Sequence, residues 1–167
     1  MLKPSLALVG LLLSSSTFAT SISVSSGFGD ALVNLNGGLG LLALEGETDL
    51  SPHLSVSAGL GYSGAIYTAA GVQYHFQNSL TGPFLGARAG YFDGAGLSGY
   101  SLNFLAGLRQ TLLAARDERD ARMNGRGQFD IFLGFSPYYQ SSAVPELNGW
   151  HTGISLGARV GFRFGGL

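Results

Sequence analysis

The stretch from His151 to Phe164, HTGISLGARVGFRF, alternates without a break. Thr152, Ile154, Leu156, Ala158, Val160, Phe162 and Phe164 fall on one face. His151, Gly153, Ser155, Gly157, Arg159, Gly161 and Arg163 fall on the other. Successive side chains of a β-strand point to opposite faces, so this is one strand with an apolar face and a face of small or charged residues. It is longer than an ordinary strand of about 5–6 residues. The same pattern recurs upstream, and the recurrence decides the fold class.

Seven further strands are predicted. Residues 20–28 place Ile22, Val24 and Phe28 on one side. Residues 39–49 alternate least cleanly: Glu45 and Glu47 share a face with Leu41 and Ala43, opposite Leu42 and Leu44. Residues 54–62 are the cleanest, with Leu54, Val56, Ala58, Leu60 and Tyr62 against Ser55, Ser57, Gly59 and Gly61. Residues 65–76, 83–92 and 100–112 follow, with Val72, Leu85, Leu102 and Phe104 on their apolar faces. Residues 128–136 set Phe129, Ile131, Leu133 and Phe135 against Gln128, Asp130, Phe132 and Gly134, and Pro137 is expected to end that strand. The connections read as turns or loops at 29–38, 50–53, 63–64, 77–82, 93–99, 113–127 and 137–150.

Composition narrows the class. Charged residues are 11% and net charge is −1, which gives no electrostatic case for nucleic acid. The chain has no Cys, so disulfides and thiolate metal sites are excluded. His53, His75 and His151 lack paired metal-ligand spacing, so neither a metal nor any other cofactor is implied. Lys3, the apolar run Leu6–Leu13 and the small residues up to Ala19 have the grammar of a secretory signal peptide over residues 1–19; an N-terminal anchor helix is the alternative. Residues 20–167 then form one domain with eight arginines and no lysine. Of its eighteen charges seven crowd into 114–127, where four Arg face three acids: a solvated connection rather than a basic patch.

Eight strands over residues 20–167 allot about 18 residues to each strand and its connection, the size of a bilayer-crossing antiparallel barrel. The predicted fold is all-β, an eight-stranded up-and-down transmembrane barrel. On its apolar face from the third strand onward no Lys, Arg, Asp or Glu occurs. The expected lipid-facing set is Leu54, Val56, Leu60, Val72, Leu85, Leu102, Phe104, Ile131, Leu133, Ile154, Leu156, Val160, Phe162 and Phe164. The expected luminal charge network is Arg88, Arg109, Asp130, Arg159 and Arg163, with Glu45 and Glu47 opposite. Aromatics gather at the strand ends, Tyr62, Tyr91 and Tyr100 at one and Tyr74, Phe76, Phe129, Phe162 and Phe164 at the other, as in two membrane-interface belts. A soluble lipocalin-like carrier would turn the apolar face inward, but the other face is mostly Gly, Ser and Ala, which suits a crowded lumen better than a wet surface.

The segments DLSPHLSVSAGLGY, GPFLGARAGYF and ISLGARVGFRF give the chain a resemblance to the small eight-stranded outer-membrane β-barrel proteins of Gram-negative-type bacteria, the OmpA/OmpX-like architecture. The resemblance implies an outer-membrane location, both barrel termini in the periplasm, and contact with the outer-membrane assembly machinery. It also implies that 50–53, 77–82 and 113–127 are periplasmic, and that 29–38, 63–64, 93–99 and 137–150 face outside, where a partner would meet 93–99 and 137–150. The chain departs from the family in ending on Gly165-Gly166-Leu167 after Phe164 and in the length of 113–127.

Candidate chemistry is sparse. Gly59 to Gly64 spells G-x-G-x-x-G, but a strand follows where a dinucleotide site needs a helix. Four luminal arginines suggest an anion path, yet a narrow barrel packs its interior and buried charges must pair, which favours an internal plug. A hydrolytic pair of His151 with a loop serine such as Ser141 has no support from spacing. No catalytic residue is assigned. Tyr138, Tyr139 and Trp150 flank the 137–150 connection and read as belt residues or as a recognition surface. The expectation is a structural or surface-interaction protein; the alternatives are a narrow solute channel and a soluble carrier.

Overall fold

The computed structural model describes residues 20–29, 39–77, 81–111 and 126–164. They form a closed barrel of eight strands in sequence order. The strands are β1 (Thr20–Gly29), β2 (Leu42–Ser51), β3 (Leu54–Tyr62), β4 (Ile66–His75), β5 (Gly82–Gly94), β6 (Leu97–Thr111), β7 (Arg126–Ser142) and β8 (Gly149–Phe164). Every neighbouring pair is antiparallel, and β8 closes on β1. The signal-like residues 1–19, most of 29–38, residues 78–80, the bulk of the charged connection 113–127 and the terminal residues 165–167 lie outside the described residues.

Register fixes the barrel's size. A path of paired residues runs Thr20, Thr48, Val56, Val72, Ala87, Phe104, Phe135, Ile154, whereas Thr20 itself pairs with Phe164 across the seam. The stagger from Ile154 to Phe164 is ten residues, about 33 Å at a rise of about 3.3 Å. Eight strand spacings of about 4.8 Å make about 38 Å. Those two lengths require a tilt of about 40° and a backbone radius of about 8 Å, within the usual range for closed barrels. Such a barrel has room inside for side chains and little else.

We call the end carrying the β1–β2, β3–β4, β5–β6 and β7–β8 connections the upper end. The last two hairpins there are longer-stranded than the spacing predicts, whereas the β3–β4 turn takes three residues, 63–65, in place of two. Residues 93–99 are not a loop: β5 and β6 run up to a two-residue turn in which Ala95 and Gly96 have φ of 54° and 78°. That is the turn whose twist matches the twist of its strands. Likewise 137–150 is mostly strand, with only 143–148 and its short 3₁₀ turn Pro145–Leu147 between β7 and β8.

Pro137 does not end β7. It pairs with Thr152 of β8 and costs the ladder on its other side, where the β6–β7 pairing skips from Ser101–Tyr138 to Phe104–Phe135 without changing register. Side chains span the gap. Ser136 Oγ donates to Asn103 Oδ1 at 2.7 Å, and Asn103 Nδ2 donates to Ser101 Oγ at 2.9 Å. A missing backbone donor is thus replaced inside the lumen, where water is scarce.

The polarity of the barrel is inverted relative to a soluble one. Leu54, Leu60, Val72, Leu85, Leu102, Phe104, Ile131, Leu133, Ile154, Leu156, Val160, Phe162 and Phe164 are exposed on the outer face, and Val56 is half-buried there. Tyr62, Tyr91, Tyr100, Tyr139 and Trp150 lie outward near the upper end; Tyr74, Phe76, Phe162 and Phe164 lie outward near the lower end, with Phe129 half-buried. From Phe129 to Tyr139 along β7, a tilt of about 40° leaves about 25 Å between the two levels. Among the described strand residues no charged side chain points outward between them.

Candidate functional site

The inward residues of the alternating pattern meet in the lumen and divide it into a charged lower half and an aromatic upper half. Four arginines enter the lower half: Arg88 from β5, Arg109 from β6, and Arg159 and Arg163 from β8. Four carboxylates face them, Glu45, Glu47 and Asp49 from β2 and Asp130 from β7, and all eight residues are buried. The formal charges cancel.

Arg109 is the best-held group. Its Nη1 and Nη2 donate to the two oxygens of Glu47 at 2.7 and 2.8 Å. Its Nε and Nη2 donate to the two oxygens of Asp130 at 3.0 Å each. Such paired, parallel bonds suit the planar guanidinium. Arg159 reaches furthest: it pairs with Glu45, donates from Nε to Asp130 Oδ2 at 2.7 Å, lies 3.5 Å from Glu47 and donates to Gln73 Oε1 at 3.2 Å. Arg88 Nη2 donates to Glu45 Oε1 at 2.5 Å, and Arg163 pairs with Asp49 and stands 3.6 Å from Glu47. The network therefore braces β2 against β5, β6 and β8 across the barrel. Phe84 sits beside it, its ring 5.8 Å from the Arg109 guanidinium, 6.0 Å from that of Arg159 and 5.8 Å from the ring of His75.

Above this layer apolar clusters fill much of the lumen, beside the buried polar side chains of Ser101, Asn103, Ser136 and Gln140. Tyr67, Phe92 and Tyr138 pack with Ala65 and Leu97, and Leu39 packs with Ala43 and Ala69. Phe84, Leu105 and Phe132 form a third cluster on the wall. Two glycines admit the rings: Phe84 lies opposite Gly107 and Phe92 opposite Gly99, and a Cβ at either glycine would come within 2.6 Å of the facing ring.

The structure thus brings together all five predicted luminal charges and both glutamates. It adds Asp49, Gln73 and the aromatic plug. Asp49 shares the parity of Glu45 and Glu47, a signal obscured by the turn residues that follow it. Tyr67 and Phe92 were legible as large rings on an otherwise small or charged face.

The conceivable hydrolytic pair is not assembled: Ser141 is exposed, while the half-buried His151 is bonded through Nε2 to the Leu147 carbonyl at 3.1 Å. A different serine meets a histidine, Ser55 Oγ at 3.1 Å from His75 Nε2, with Glu47 Oε1 4.0 Å from the same nitrogen. A catalytic relay needs the acid on the other nitrogen, so this trio lacks the orienting contact. Gly59 to Gly64 forms the end of β3 and the turn into β4. Among the described residues no three His, Asp or Glu side chains are grouped to hold a metal.

The fold and lumen define a class, closed eight-stranded antiparallel barrels with a charged, side-chain-filled interior and an apolar exterior. No family model, curated protein or solved structure matches the chain.

Proposed function

We propose that this chain is a structural and surface-interaction barrel of an outer membrane, with a lumen closed by its own side chains and no catalytic turnover. The observation that carries the reading is the segregation of charge: eight ionic side chains pair inside, and among the described residues no charged strand side chain points outward between two aromatic levels about 25 Å apart. An exterior of this kind is costly in water and favourable in hydrocarbon. The apolar set Leu54, Leu60, Ile154, Leu156 and Val160, which would line the pocket of a soluble carrier, is outward instead.

Cell fractionation, with gel mobility before and after boiling in detergent, tests this. The protein is expected in the outer-membrane fraction, with a mobility that changes on boiling. Recovery in the soluble periplasm without detergent would refute the membrane assignment.

A further inference from the structure

His75, the last residue of β4, is fully buried in the lumen beside the ionic layer. Its Nε2 lies 3.1 Å from Ser55 Oγ and 4.0 Å from Glu47 Oε1. Its Nδ1 is buried and has no hydrogen-bond partner among the described residues. The Phe84 ring packs 5.8 Å from the imidazole. The backbone fixes the residue: its N–H donates to the His53 carbonyl at 2.8 Å, and its carbonyl accepts from His53 Nδ1 at 2.9 Å.

Charged groups act on this ring from three strands: Glu47 and Asp49 of β2, Arg109 of β6 and Arg163 of β8. From β3 and β5 it meets the uncharged Ser55 and Phe84, and the turn before β3 adds the titratable His53. Asp130 of β7 is engaged by Arg109 and Arg159. Two features of the site suit a neutral imidazole. A charged ring carries two N–H donors, and Nδ1 meets no acceptor here. The four arginines already balance the four carboxylates, so a proton on His75 adds a fifth cation to a buried layer whose charges cancel. Glu47, the nearest acid, is already held by both terminal nitrogens of Arg109.

We propose that His75 is a proton-sensitive catch inside the barrel. Neutral, it completes the packing of the lumen. Protonated, it competes with Arg109 for Glu47 and loosens the brace between β2 and β6. The inference goes beyond the structural role proposed above and holds for the barrel in any surroundings. Unfolding frees the imidazole to take up a proton near its ordinary value of about 6.5. The folded barrel then binds fewer protons than the unfolded chain. Stability is full above that pH and lost as pH falls below it, by up to about a tenfold rise in the unfolding constant per pH unit.

Urea titrations of the full chain in detergent micelles, from about pH 7.5 to about pH 5, compare the wild type with His75→Gln. Gel mobility before and after boiling certifies that the variant is folded. Across that range the wild-type unfolding constant should rise about thirtyfold more than that of the variant, the size of one linked histidine proton. Other titrating groups are common to both chains and drop out of the ratio. A response of His75→Gln equal to or steeper than the wild type's would overturn the proposal. Nitrogen NMR of the imidazoles tests it in the wild type without a substitution. The chain has three histidines, and the ring in contact with Phe84 should still be neutral in the folded barrel at about pH 5.5. A charged ring there, in a barrel that remains folded and undiminished in stability, would overturn the proposal as well.

Discussion

Arg109 holds two carboxylates at once, Glu47 on one edge of its guanidinium and Asp130 on the other. Removing it leaves four buried carboxylates against three arginines, with Asp130 held by Arg159 alone among the arginines and Glu47 only by the longer contacts to Arg159 and Arg163. Arg109→Met is therefore expected to destabilise the barrel by about 3–5 kcal/mol, as breaking a buried ionic contact does. Urea titration in detergent, followed by gel mobility, measures the loss. Adding Glu47→Gln should recover part of it, because three carboxylates then balance three arginines; a double variant less stable than the single one would contradict this account. The charged residues were legible from parity alone, since Arg88, Arg109, Asp130, Arg159 and Arg163 all alternate with apolar neighbours. Which acid each arginine takes was not legible: Glu45 and Arg159 are 114 residues apart, and only the barrel's register sets them face to face.

Hairpins and strands behave as elements with their own tests. Ala95 adopts φ of 54° in the β5–β6 turn, a conformation that costs a side-chain-bearing residue roughly 1 kcal/mol. Ala95→Gly should raise stability by up to about that amount, less what glycine's extra freedom takes from the unfolded chain. A clear loss of stability in the urea titration would show that the turn has another geometry. On β7, Leu133 lies outward between the aromatic levels. Leu133→Arg should cost about 2–4 kcal/mol in a lipid bilayer, and a cost near zero would speak against a hydrocarbon environment. Strand existence was legible in every segment, and facing from the third strand onward, because the period of two is clean there; in 39–49 the glutamates shared a face with Leu41 and Ala43 and left the register open. Strand length was not. Asp93-Gly94 and Pro137 are turn-forming types, yet the pull of paired neighbours carried β5 through the first, to Gly94, and β7 past the second. At Pro137 the missing donor is offset by Ser136 and Asn103, a compensation invisible until the strands are side by side.

For the whole molecule, a radius of about 8 Å and a side-chain-filled interior among the described residues support the proposed closed lumen. In planar bilayers the wild-type chain is expected to show no conductance steps. Arg159→Ala, which removes a side chain reaching across the lumen to β2, β4 and β7, should introduce a leak. Steady conductance by the wild type would make the chain a channel. The position of β8 in the network bears on how such a barrel comes to exist. In a sheet of seven strands, Glu45, Glu47, Asp49 and Asp130 face only Arg88 and Arg109; the remaining two cations arrive with the last strand. The unfinished barrel thus holds a surplus of two negative charges on the side that is about to become its inside. An apolar phase tolerates that poorly. The final strand acts as a latch: its two arginines are drawn in by the very deficit they cancel, so that, on the membrane reading proposed above, a half-zipped sheet would not persist in hydrocarbon and closing the cylinder would coincide with entering the lipid.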